Sequence, residues 1–171
     1  MHLAGVRVLA AIVVLCASVT LCRSDPGSDA QAAFDRKEYA TAIRLWEPLA
    51  KAGDTQAQVG LASIYMQGLG VPRDTDKALI WLELAAEGGD PRGPWLLGMA
   101  YDTGMGVPRD VVKAYQWLDI GRSLSHTKVA IATSKLLLSG VASECTDKQI
   151  ASAKGLAQQW RATHPDLVTP D

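Results

Sequence analysis

Phenylalanine occurs once in the 171 residues, histidine and cysteine three times each, and aromatic side chains make up only 6%. Cys16 and Cys22 fall in an apolar N-terminal run, which leaves Cys145 alone downstream. A lone cysteine forms no intramolecular bridge, so disulfides do not staple this fold. Neither sign of charge is in excess: 17 Lys and Arg face 18 Asp and Glu. Without a basic surplus the chain has no grip on a nucleic-acid backbone. His126 and His164 are isolated, and no His or Cys stands at ligand spacing, so neither a metal nor a cofactor is expected. Gly68-Leu69-Gly70 is no phosphate loop, because it follows a helical pattern and lacks the Lys-Ser/Thr pair. What remains is ordinary globular composition, 48% hydrophobic and 20% charged, enough for one domain with a real core.

The first residues read as an address. Arg7 precedes an uncharged run from Val8 to Cys22, and Arg23 follows it. That run is shorter than the roughly 20 residues of a spanning helix and has the make-up of a secretory leader. Residues 1–24 are therefore expected to be a signal peptide cleaved near Cys22–Ser24, sending the protein to the periplasm or outside the cell. Any membrane contact would come only through an uncleaved leader.

The rest repeats. Shifted by 36 positions, Leu61, Tyr65, Gly68 and Gly70 fall on Leu97, Tyr101, Gly104 and Gly106. Val71-Pro72-Arg73-Asp74 falls on Val107-Pro108-Arg109-Asp110, and Lys77, Ala78, Trp81 and Leu82 fall on Lys113, Ala114, Trp117 and Leu118. More weakly, Ala42, Gly53 and Asp54 project onto Ala78, Gly89 and Asp90, and Gly104 projects onto Gly140. The expected domain is 25–171, with clear repeats at 55–90 and 91–126 and degenerate ends at 28–54 and 127–162.

Each unit reads as two helices. Leu61, Ala62, Ile64 and Tyr65 share one face of a 3.6-residue period, and Gly68-Leu69-Gly70 stops that helix. Asp74 is placed to cap a second helix in which Ala78, Trp81, Leu82 and Ala85 align. Gly88-Gly89 ends it, and Asp90 is expected to cap the next, with Pro91 at its first position. Residues 29–36 and 39–52 are expected to form an opening hairpin bent at Pro48, and 127–139 and 147–162 a closing one with a Thr146/Gln149 capping box. No strand-length alternation occurs, so the chain is all-α. One hairpin cannot bury its two apolar faces, and stacking neighbours solves that. Ala62 and Gly98 mark where the two helices of a hairpin come close.

The run Leu97-Gly98-x-x-Tyr101-x-x-Gly104-x-Gly106-Val107-x-x-Asp110-x-x-Lys113-Ala114-x-x-Trp117, and its earlier copy with Ala62 in place of the glycine, resembles the Sel1-like repeat, a relative of the tetratricopeptide repeat. The resemblance implies a right-handed α-solenoid of stacked antiparallel helix pairs, about 3.5 hairpins long, that binds a protein or peptide partner in its concave face. A cysteine-rich branch of that family, with reported penicillin binding, pairs cysteines in each repeat. This chain does not, so that activity is not carried over.

By the tetratricopeptide register the first helix of each hairpin lines the inner face. The candidate partner-binding residues are then Gln56, Val59, Ser63, Met66 and Gln67; Arg92, Trp95, Met99, Asp102 and Thr103; and Lys128, Ile131 and Lys135. Trp95, Met99 and Val59 make an anchor-like stripe, or else Trp95 and Met99 only seal adjacent hairpins. Tyr65, Tyr101, Trp81 and Trp117 hold fixed repeat positions and read as core, not as a ligand cage. Lys77 and Lys113 read as surface partners of Asp74 and Asp110. Glu83 and Glu87 read as a solvated face, Cys145 as an inert loop thiol or a reactive one, and His164-Pro165-Asp166 as a tail tripeptide without function. Leu136-Leu137-Leu138 is a candidate for self-association.

These readings make the chain a non-enzymatic exported adaptor. The alternatives are a structural subunit or cap of an envelope assembly, or a cell-envelope hydrolase, for which no nucleophile–base pair is found.

Overall fold

The computed structural model describes residues 25–168; the leader reading of residues 1–24 lies outside them. Eight α-helices follow one another: α1 Pro26–Asp35, α2 Tyr39–Lys51, α3 Thr55–Gln67, α4 Thr75–Glu87, α5 Arg92–Thr103, α6 Val111–Leu124, α7 Lys128–Ala142 and α8 Asp147–Thr163, then a short 3-10 turn, Pro165–Leu167. No strand occurs among the described residues.

The 36-residue period is built into the backbone. Gly68 and Gly104 end α3 and α5 in the left-handed region, at φ 68° and 70°, which a side chain with a Cβ enters only at a cost. In both loops the aspartate N–H returns to the tyrosine carbonyl: Asp74 to Tyr65 and Asp110 to Tyr101, each at 2.9 Å. The side chains of Asp74 and Asp110 then accept the N–H of Lys77 and Lys113 at 3.0 Å, capping α4 and α6. Asp54 caps α3 in the same way through Ala57. Asp90 differs slightly. Its carboxylate accepts the N–H of Arg92, and Pro91 stands just outside α5, not in its first turn.

Stacking hides what each hairpin cannot. Ala30 and Ala33 of α1, Ala42, Trp46 and Ala50 of α2, and Ala57, Leu61 and Ile64 of α3 form one buried cluster across the first unit boundary. Ala62, Ala78, Leu82 and Leu97 form the next, joining α3, α4 and α5. Close approaches occur where side chains are missing. A Cβ on Gly98 would stand 2.7 Å from Leu118 Cγ, within the α5–α6 hairpin as the sequence suggested. A Cβ on Gly93 would stand 2.6 Å from the Leu82 carbonyl oxygen, between successive hairpins. Pro48 lies inside α2, which continues through it to Lys51, so its missing N–H falls near the helix end.

The last unit departs from the expected plan. α7 and α8 do not form a close antiparallel pair; each packs against α6 instead. Leu138 and Val141 of α7 and Ala153 of α8 share a cluster with Ala114, Tyr115 and Leu118 of α6, while Ala157 of α8 covers Ile120 and Leu124. Gly140 does not repeat the turn at Gly104: it lies inside α7, which runs on to Ala142. Without a glycine stop the helix runs two residues past Gly140, and both α7 and α8 find their packing surface on α6. The Thr146/Gln149 capping box is present.

A buried charge ties this end together. Asp119 accepts from Arg122 at 3.1 Å and from Arg161 of α8 at 2.8 Å. The residue in register with it one repeat earlier, Glu83, is exposed. The tail tripeptide is also structural: the His164 ring stacks on Trp160 at 4.2 Å, and Leu167 packs on the Ile120, Leu124 and Ala157 cluster.

Candidate functional site

The cleft between α5 and α7 brings together residues from both helices and from the loop between α6 and α7. Pro91, Arg92 and Trp95 form one side, Ala130, Thr133 and Ser134 the other, and Ser125 the end. They enclose an open, mostly apolar cavity of about 190 Å³, room for one aliphatic side chain. At this wall Gly93 lets the first turn of α5 press against α4. Trp95 also packs against the α6–α7–α8 cluster, so one part of the indole seals adjacent helices, as the sealing reading expected, while another part lines the cavity.

Electrostatics fix the rim. Arg92 donates from Nε at 3.0 Å and from Nη2 at 2.6 Å to the buried Asp90 carboxylate. Burial opposes the Asp90 charge, but the hydrogen bonds from the Arg92 side chain and backbone, with one from Thr55, outweigh it and hold its pKa below the usual carboxylate value. The Arg92 guanidinium is raised in turn by its hydrogen bond to Asp90. This pair holds the start of α5, and with it Trp95, in place.

The other candidates scatter. Val59 is 8% exposed and offers no surface. The Ser63 hydroxyl donates back to the Val59 carbonyl, and Met66 packs on the Ala62, Ala78, Leu82 and Leu97 cluster. Met99 is half-buried and Gln67 exposed, and the exposed Thr103 donates its hydroxyl to the Met99 carbonyl. Gln56 borders a separate polar cavity of about 200 Å³ with Asp25, Gly27, Ser28, Trp46, Asp54 and Ala57. Asp102 belongs to a surface link in which Arg109 donates to its carboxylate and to Glu144. Lys128 and Lys135 are exposed and Ile131 half-buried on α7, but none of the three lines the cavity. Shifting by 36 had placed Ile131 at the Trp95 position; with its own connection and packing, α7 turns Ala130, Thr133 and Ser134 toward α5 instead. Ser125 and these three were missed, and no local pattern marks them.

Tyr65, Tyr101, Trp81 and Trp117 are half-buried at cluster margins, not deep core. Lys77 pairs with Asp74 at 3.1 Å. Both repeat lysines also sit over the repeat tyrosines, Lys77 at 5.2 Å from the Tyr65 ring centroid and Lys113 at 4.9 Å from that of Tyr101, a cation–π contact the motif spacing carries. No ion pair joins Lys113 to Asp110 among the described residues. Burial and then Glu144 push the Cys145 thiol up, away from the thiolate a nucleophile needs. Of the leucine run, Leu138 is buried and Leu136 exposed. Among the described residues no three His, Cys, Asp or Glu gather as a metal site, and no helix is long and apolar enough to cross a membrane.

A model of the Sel1 repeat matches residues 55–90 and 95–126. Among solved structures, the chain is similar to a protective antigen present in uropathogenic Escherichia coli strains displaying an SLR fold, with 27% identity and a TM-score of 0.72 over 85% of this chain and 32% of that one. It is also similar in fold to a Sel1 repeat protein from Oxalobacter formigenes, with 23% identity and a TM-score of 0.60 over 69% of this chain and 46% of that one. The chain thus spans about a third of the first relative and under half of the second. No curated protein matches it. The chain thus carries two Sel1 repeats at its centre, set in a fold of stacked helix pairs similar to that of solved Sel1-like repeat proteins.

Proposed function

We propose that the protein is an exported, non-enzymatic adaptor that seats a segment of a partner protein in the cleft between α5 and α7. The observation that carries this reading is the open apolar cavity beneath Trp95, whose rim is held by the Asp90–Arg92 pair. A rigid aromatic beside a side-chain-sized hole, bordered by hydroxyls, has the make-up of an anchor site. Sel1 repeats commonly mediate protein–protein interaction, which supports the class of activity. The leader-like composition of residues 1–24 supports work in the periplasm or outside the cell.

The test is partner capture from envelope extract with wild type and Trp95→Ala. Loss of one specific partner, with the far-UV helical signal unchanged, supports the reading; undiminished capture counts against it.

A second reading, a structural subunit of a larger assembly, is favoured by the outer side of α4, where Ile80 is 56% exposed and Leu84 stands near it on the helix. Capture lost on Ile80→Ser and kept on Trp95→Ala would select it.

A further inference from the structure

α7 turns a broad side away from every other helix. Val129 is 76% exposed and Leu136 72%, two turns apart on one face, with Ala132 between them and open space around Gly140. At 100° per residue, Lys128 and Lys135 run along one margin of this ridge and Thr133 along the other. Thr133 also walls the Trp95 cavity, so a lysine row, an apolar ridge and the cavity lie side by side.

The charge is local. α7 contains no acid, and neither lysine has an acidic partner among the described residues. Residues 127–163 carry five cationic side chains against two acids, whereas residues 53–126 carry nine acids against six cations.

A second copy fits this face poorly. Antiparallel pairing of two α7 helices brings the lysine rows together. Two exposed apolar side chains per copy also offer roughly a few hundred Å², short of the roughly 1,200 Å² of a stable interface. Head-to-tail stacking would present α1, where exposed Asp29 and Asp35, with Asp25 just before the helix, complement the lysines, but whose apolar Ala30 and Ala33 are already buried. The ridge would stay uncovered.

We propose that α7 receives an acidic amphipathic helix of a partner protein, its carboxylates over Lys128 and Lys135 and its apolar face on Val129 and Leu136. This rests on the reading of the α5–α7 cleft as the binding seat and specifies the chemistry of what enters it. Alternating charge and apolar strips give such docking its register and partner choice.

Fluorescence anisotropy tests it with three labelled synthetic peptides: a leucine–glutamate amphipathic helix, its leucine–lysine counterpart, and a scramble of the first that has no apolar face. The acidic helix is expected to bind best, and the double variant Lys128→Glu/Lys135→Glu to weaken it roughly tenfold while improving the basic counterpart. Leu136→Ser should weaken the acidic helix without altering the helical signal. The proposal is overturned if the acidic helix does not bind, if the scramble or the basic peptide binds wild type equally well, or if the double variant changes nothing. Adsorption to phosphatidylglycerol vesicles without peptide binding also overturns it, in favour of a lipid surface. Loss of all peptide binding on Trp95→Ala, with no dependence on peptide charge, would keep the cleft and remove the lysine row. An intact charge swap with a silent Trp95→Ala would do the reverse.

Discussion

Adding one methyl group at Gly93 probes the join between successive hairpins. The new Cβ would stand 2.6 Å from the Leu82 carbonyl oxygen and 2.8 Å from the Ala86 nitrogen, both backbone atoms of α4. Neither can swing aside as a side-chain tip would, so α5 must move off α4. Overpacking of this kind costs about 1–3 kcal/mol, and the better helix propensity of alanine returns at most about 1 kcal/mol. Gly155→Ala is the matched control, because α8 leaves nothing within 4 Å of that position, and it should stabilise by about 0.5–1 kcal/mol. In thermal melts followed by far-UV circular dichroism, 1 kcal/mol corresponds to about 2–4 °C for a chain of this size. Gly93→Ala is expected to melt lower than wild type and Gly155→Ala higher. Equal gains at both positions would refute the close approach of α4 and α5, and with it the stacking geometry.

Two further outcomes follow from the charges. Asp119→Ala should lower stability by about 1.5–3 kcal/mol, the worth of hydrogen bonds to charged groups, and Asp119→Asn by less, read from urea midpoints; an unchanged midpoint would mean that the link between α6 and α8 carries nothing. The Asp90 carboxylate, with its folded pKa held below the unfolded value, contributes stability that is complete above the unfolded pKa and lost as pH falls through the folded one. The melting temperature of wild type should therefore fall more steeply on acidification below about pH 4 than that of Asp90→Asn, and parallel curves would contradict the assignment.

What the sequence disclosed tracks how faithfully the period is kept. Between residues 55 and 126 the same glycines, prolines and aspartates recur, and loops, caps and the lysine–tyrosine contacts recur with them. Beyond residue 127 the register survives as Gly140 alone, and there it misleads, because a glycine stops a helix only where the chain can turn and pack back. α8 finds a better surface on α6, through Asp119 and Ala157, and no repeat pattern encodes that choice. The cavity was half legible for the same reason: Arg92 and Trp95 lie in the regular repeat, whereas Ala130, Thr133 and Ser134 face it only because of how α7 packs on α6.

In the proposed complex the partner sits between α5 and α7. The most direct measurement places a photo-crosslinking residue at Thr133, on the cavity wall, and in a second variant at Ile80, on the outer side of α4, and irradiates cells of the native host. A single crosslinked partner from position 133, absent from position 80 and lost when Trp95→Ala is added, is the predicted result. Crosslinking from position 80 alone would contradict it.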